Sequence, residues 1–201
     1  TTVWSFTTAD VTNPTVSTFS PVDNATGVTI GSNLVITFSE AVDVETGNIT
    51  IKTTSGDNTF ATIDVTSGLV TGTGTTTITV NPSTDLSGST EYYVLIDATA
   101  FDDASSNSYA GISSTTTWSF TTADVTNPTV STFSPVDNAT GVTIGSNLVI
   151  TFSEAVDVET GNITIKTTSG DNTFATIDVT SGLVTGTGTT TITVNPSTDL
   201  A

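Results

Sequence analysis

Asn33-Leu34-Val35-Ile36-Thr37-Phe38 decides the fold. Leu34, Ile36 and Phe38 fall on one side of an extended backbone and their neighbours on the other. This is the two-residue period of a strand with one buried face. Gly31-Ser32 precedes the run and supplies turn residues. The same signal recurs on both sides. Upstream it predicts a strand over Thr15–Phe19 with a short extension at Val28–Ile30. Downstream it predicts strands over Asn48–Thr53 (Ile49 and Ile51 inward), Phe60–Val65, Thr76–Val80, Glu91–Ile96 (Tyr92, Val94 and Ile96 inward) and Thr115–Thr122 (Trp118 and Phe120 inward). No stretch has helical periodicity. About seven short strands in just over a hundred residues predict an all-β, antiparallel sandwich.

The sandwich is repeated. Residues 1–86 and 115–200 are the same sequence except that Thr117 replaces Val3, and Trp4 aligns with Trp118, so the period (118 less 4) is 114 residues. That length is a domain, well above the 20–50 residues of solenoid repeats. Thr8-Ala9-Asp10-Val11-Thr12-Asn13-Pro14, repeated as Thr122–Pro128, reads as a short stiff linker, because proline fixes its own φ and restricts the residue before it. Residues 1–10 are then the last strand and linker of a preceding repeat. Residues 11–124 are a complete repeat, and 125–201 the front part of the next, without a counterpart of Ser87–Tyr109. The expectation is a window on a longer array. Completion by strands from another chain is the alternative, although residues 1–9 would replace only the last strand.

Twenty acidic residues against two lysines give a formal net charge of −18. Such a chain repels nucleic acid and anionic membrane surfaces. The longest apolar run, near Tyr92–Ile96, is far short of the ~20 residues of a membrane helix, so no membrane insertion is expected of this segment. There is no cysteine or histidine, which removes disulfides, thiol and imidazole catalysis, and the usual ligands of zinc and copper.

Phe19-Ser20-Pro21-Val22-Asp23-Asn24-Ala25-Thr26-Gly27-Val28, Ile36-Thr37-Phe38-Ser39-Glu40-Ala41-Val42-Asp43, Asp103-Ala104-Ser105-Ser106-Asn107 and Trp118-Ser119-Phe120-Thr121-Thr122 occur in that order in one repeat. Together they resemble the bacterial Ig-like domain family, whose third landmark usually carries glycine where this chain has Ser106. The resemblance implies tandem Ig-like antiparallel sandwiches, used as repeats in surface adhesins, S-layer proteins and secreted enzymes. It implies no single activity.

With that topology, chain direction gathers acids at the two poles. Glu40, Asp43 and Glu45 lie between the second and third strands, Asp102, Asp103 and Asn107 before the last strand, and Asp10 in the linker, all at the leading pole. Asp23, Asp57 and Asp85 fall at the opposite pole. Head-to-tail stacking would bring Asp124, Glu154, Asp157 and Glu159 against those three. Carboxylates packed with almost no cations require a counter-ion, and calcium, which takes 6–8 oxygen ligands in loose geometry, suits them. The alternative is that these acids cap turns and are otherwise solvated. No EF-hand or nonapeptide calcium spacing is present. Lys52 is expected to point outward. Asn24, Asn48, Asn138 and Asn162 begin Asn-x-Thr sequons, which matter only where the source glycosylates surface proteins. Asp102-Asp103 has no cleft or base around it to suggest a glycosidase.

The expected function is therefore non-enzymatic: an extracellular spacer in an adhesin or filament, stiffened by calcium at its joints, with neighbouring repeats of the same chain as partners. The alternatives are a repeat that binds glycans or a protein partner by avidity, and a sheath or S-layer subunit that associates laterally with identical chains.

Overall fold

The computed structural model describes residues 2–200. The chain forms two compact units, the first up to Val125 and the second from Thr126. The first holds β1 (Val16–Ser20), β2 (Ala25–Val28), β3 (Leu34–Val44), β4 (Asn48–Thr53), β5 (Thr59–Asp64), β6 (Val70–Thr71), β7 (Thr75–Val80), β8 (Glu91–Ile96), β9 (Phe101–Asp102) and β10 (Ser119–Thr122). One sheet runs β1-β3-β7-β6, with β9 on the far end of β3. The other runs β2-β10-β8-β4-β5. No α-helix occurs among the described residues. The chain is thus an all-β, Ig-like sandwich protein.

The core is made by the alternation that the sequence announces. Leu34, Ile36, Phe38 and Val42 of β3 meet Ile49, Ile51, Ile78, Val80, Tyr92, Val94, Ile96, Trp118 and Phe120, all buried. Trp118 closes it. Its ring stacks on Phe19 with centroids 4.4 Å apart, and its Nε1–H donates to the Pro21 carbonyl at 2.8 Å. A buried indole with its N–H satisfied contributes its full apolar area without an orphaned donor. β10 then pairs antiparallel with β8 and parallel with β2, so the end of the repeat is bonded to its beginning.

Three boundaries differ from expectation by more than a residue, and two short strands are additional. β3 continues six residues past Phe38, because Val42 keeps the inward alternation across a register shift and the strand's end finds β9 as a partner. Glu40 and Asp43 are therefore on a strand and not in a loop. The short second strand is Ala25–Val28, drawn forward by its pairing with β10. The last strand starts at Ser119, not Thr115, since Ser114 accepts from Thr116 N–H through its hydroxyl and turns the chain there. The short β6 and β9 lack the length to show a period.

In the second unit, β11 (Val130–Ser134), β12 (Leu148–Val156), β15 (Val184–Thr185) and β16 (Thr189–Val194) form one sheet, and β13 (Asn162–Lys166) with β14 (Thr173–Asp178) a hairpin. Registers are preserved: Leu148 pairs with Val194 as Leu34 pairs with Val80. Equivalents of β8 and β10 are not among the 201 residues, and Phe133 is 51% exposed where Phe19 is stacked on Trp118.

Trp118→Ala should destabilise the first unit by about 3–5 kcal/mol. Trp4→Phe, at a side chain 91% exposed, should leave it within about 0.5 kcal/mol. Tyr92, Tyr93 and Tyr109 are the chain's three tyrosines and all lie in the first unit, so near-ultraviolet circular dichroism during urea unfolding isolates that transition.

Candidate metal centre

Asp10, Glu40 and Asp103 converge: one carboxylate oxygen from each lies within 4.8 Å of the others. Each comes from a different kind of element. Asp10 is in the linker, Glu40 on the prolonged half of β3, and Asp103 in the turn that follows β9. The exposures are graded, with Asp10 exposed, Glu40 half-buried and Asp103 buried.

Asp103 is held by its own turn. Its Oδ1 accepts the N–H groups of Ser105 and Asn107, both at 2.8 Å, and its Oδ2 accepts Asn107 Nδ2–H at 2.8 Å. The Ser106 N–H donates to the Asp103 carbonyl. Donation by the Asn107 side chain, then by its backbone, holds the carboxyl below the usual carboxylate range, with Ser105 adding to it against the opposing effect of desolvation. The turn requires Ser106 at φ +65°. Only glycine occupies that left-handed region freely, so Ser106 holds it at a conformational cost.

Asn107 also reaches the linker: its Nδ2–H donates to the Asp10 carbonyl at 3.4 Å. Asp10 Oδ1 in turn accepts the Thr12 N–H at 2.9 Å, an Asx turn. Glu40 receives no comparable help. Desolvation, then the charges of Asp10 and Asp103, push its carboxyl above the ordinary value. Three hard oxygen donors without nitrogen or sulfur fit calcium, whose remaining positions would fall to backbone carbonyls and water.

The other expected ligands are not members of this trio. Asp43 and Asp102 face each other across β3 and β9, and Asp43 Oδ1 accepts the Thr73 hydroxyl at 3.2 Å. Glu45 is exposed in the short turn after β3, its N–H donating to Ala100. Asp23 Oδ1 accepts the Ser119 N–H at 2.8 Å and anchors the start of β10. Asp57 pairs with Lys52 Nζ at 2.8 Å and accepts the Tyr93 hydroxyl. Lys52 first, then Tyr93, holds the Asp57 carboxyl below its usual range. Asp85 is exposed, with its carboxylate beside Gly31. In the second repeat, Asp157 accepts the Thr187 hydroxyl at 3.4 Å, and Glu159 is exposed. Asp124 and Glu154, equivalent to Asp10 and Glu40, are each engaged in an interaction. Two polar contacts escaped the sequence reading. One is the Lys52–Asp57–Tyr93 group, whose Lys–Asp spacing of five recurs as Lys166–Asp171. The other is Asp97, which accepts the Asn48 N–H at 2.8 Å.

The pKa directions give opposite pH signatures. Asp103 titrates lower in the folded chain than unfolded, so its stabilising contribution is complete above the ordinary carboxylate range and disappears as pH falls through its depressed value. Glu40 titrates higher when folded, so its contribution is complete at low pH and is lost as pH rises through its elevated value. At pH 7 with a chelator, Glu40→Gln should therefore raise the melting temperature and Asp103→Asn lower it. Both differences should shrink towards pH 3. Melting curves of the two variants across pH check the signs.

Comparison with known families agrees with this architecture. A model of the bacterial Ig-like domain matches residues 10–122 and again 124–201. No curated protein matches the chain. Domains of this kind typically occur as modules of surface proteins and are generally non-enzymatic. With the family model covering nearly the whole sequence in two consecutive segments, the chain belongs to the bacterial Ig-like domain family.

Proposed function

We propose that this chain is a spacer: a stretch of tandem sandwiches that gives length and stiffness to an extracellular surface protein, with calcium at the junction of linker and sandwich. The observation that carries the reading is the junction itself. A linker carboxylate, Asp10, meets Glu40 and Asp103 of the sandwich it leads into, so a cation held there would tie the two together. Near-identity of the repeats supports the spacer role, since a unit selected for length and stiffness has no reason to diverge from its neighbour. Glu40 supports the cation: its carboxyl is raised first by desolvation and then by the charges of Asp10 and Asp103, and a divalent ion bound among the three would offset those charges.

A glycan-binding repeat would be expected to present an aromatic platform. In the complete sandwich Trp118, Tyr92, Tyr93, Tyr109, Phe101 and Phe120 are all buried, which favours the spacer.

Thermal unfolding of the full chain in a chelator and then in calcium tests the proposal. A site present only in the folded state adds about 2.7 kcal/mol at a calcium concentration one hundred times its Kd. The first-unit transition should rise with calcium in the unaltered chain and stay unmoved in a Glu40→Gln/Asp103→Asn double variant. No rise in the unaltered chain would rule out the metal.

A further inference from the structure

The two outer faces of the complete sandwich differ in charge. On the sheet β2-β10-β8-β4-β5 the outward positions include Lys52, Asp64 and Glu91, since Ile51, Ile63 and Tyr92 beside them are buried. The sheet β1-β3-β7-β6 is different. Val16–Ser20, residues 34–39, Val70–Thr71 and Thr75–Val80 contain no aspartate, glutamate or lysine. The acids of β3 begin beyond this patch, at Glu40.

Cross-strand register sets the outward side chains of the neutral face in rows. Leu34, Ile36, Phe38, Val70, Ile78 and Val80 are buried, so their neighbours point outward. One row is Thr18–Thr37–Thr77 across β1, β3 and β7. The next is Ser20–Val35–Thr79–Thr71 across β1, β3, β7 and β6. The second unit repeats both, as Thr132–Thr151–Thr191 and Ser134–Val149–Thr193–Thr185. These rows offer methyl groups and short hydroxyls, and need no counter-ion when covered.

Charge selects what can cover them. In a chain of net charge −18 with two lysines, most approaches of two copies set carboxylates against carboxylates. The neutral face is the exception. It meets its own counterpart with no carboxylate desolvated and no like charges apposed. A basic partner gains nothing from it and is drawn to the acidic positions instead.

We infer that the outer face of β1-β3-β7-β6 is where two copies of this chain meet side by side, each presenting the same rows to the other. Size sets the strength of the contact. Four strands about 4.8 Å apart, with six residues rising about 3.4 Å each, cover roughly 300–400 Å². That is at most half of the ~800 Å² per partner in a standard interface. Pairing through one such face is therefore weak and reversible, and salt strengthens it by screening the repulsion of the remaining surface. It involves no metal, so it stands or falls separately from the calcium reading.

Sedimentation equilibrium of the full 201-residue chain in a chelator tests the inference. The average mass should rise with concentration. It should rise more at about 1 M salt than at about 0.1 M, where the Debye length is ~3 Å against ~10 Å. One carboxylate per repeat on the neutral face, Thr37→Glu/Thr151→Glu, should weaken association at least about tenfold. The same charge on the other outer face, Thr62→Glu/Thr176→Glu, should change it less than about twofold. Near-ultraviolet circular dichroism of the tyrosines reports that the first unit of each variant is folded. If Thr37→Glu disturbs that signal, Thr77→Glu/Thr191→Glu takes its place. In proton–nitrogen spectra the amides of Thr37 and Thr77 should shift with concentration, and those of Thr50 and Thr62 should not. A monomer at every concentration overturns the inference, including one whose Thr37 amide responds instead to an added soluble glucan, the competing neutral occupant. Equal weakening by the two charge variants overturns it as well. So does association that survives Thr37→Glu/Thr151→Glu and is abolished by Phe133→Ser, at an apolar side chain 51% exposed.

Discussion

The contact between Phe19 and Trp118 is the one on which the remaining architecture depends. It joins the first strand of the repeat to the residue before its last strand, nearly a hundred positions away. Around it gather the parallel pairing of β2 with β10, the indole bond to the Pro21 carbonyl and the Asp23 anchor on Ser119. Without that closure the apolar row of β3, with Leu34, Ile36 and Phe38, would lose part of its cover from β8 and β10. The acid trio depends on it as well, since it relies on the β8-to-β10 connection to bring Asp103 to Glu40. Contacts this distant in sequence make closure a late, loop-entropy-limited step of folding.

Electrostatics divides the acids into two populations. Asp103, Asp57, Asp64 and Asp178 each lie among donors that favour the charged form, from neighbouring amides, hydroxyls or a lysine. These are structural carboxylates that complete turns. Glu40 stands apart, pushed up by its surroundings and its acidic neighbours. A chain of net charge −18 with two lysines, each committed to an aspartate five residues on, has no mobile cation of its own to offer that site.

Most of the sandwich was legible because its strands are long enough to show a period and bury one face each. Leu34, Ile36 and Phe38 announce β3, and Tyr92, Val94 and Ile96 announce β8. The continuation of β3 to Val44 was not legible, since Ser39-Glu40-Ala41 interrupts the apolar row and the reason to continue is a two-residue partner, β9, formed sixty positions later. The acid trio was legible in kind but not in membership. Sequence placed Asp10, Glu40 and Asp103 at one pole together with Asp43, Glu45 and Asp102. Only the direction in which each strand residue points, and the closed turn of Asp103–Asn107, separates the three that meet from the three that do not.

The parallel pairing of β2 and β10 has a mechanical meaning. A pull applied to the two ends of a repeat would load β1 on β3 first on the leading side, and beyond it would draw β2 and β10 in opposite directions along their common axis. Their bonds, which include Asn24 N–H to the Ser119 carbonyl and Ala123 N–H to the Val28 carbonyl, lie across that pull. They are loaded in shear and share the load, where a hairpin would unzip one bond at a time. Rupture would then have to break the β1–β3 bonds as well as this patch and the stacked indole beneath it. Resistance to stretching thus follows from the order in which the strands are threaded, before any bound ion is considered.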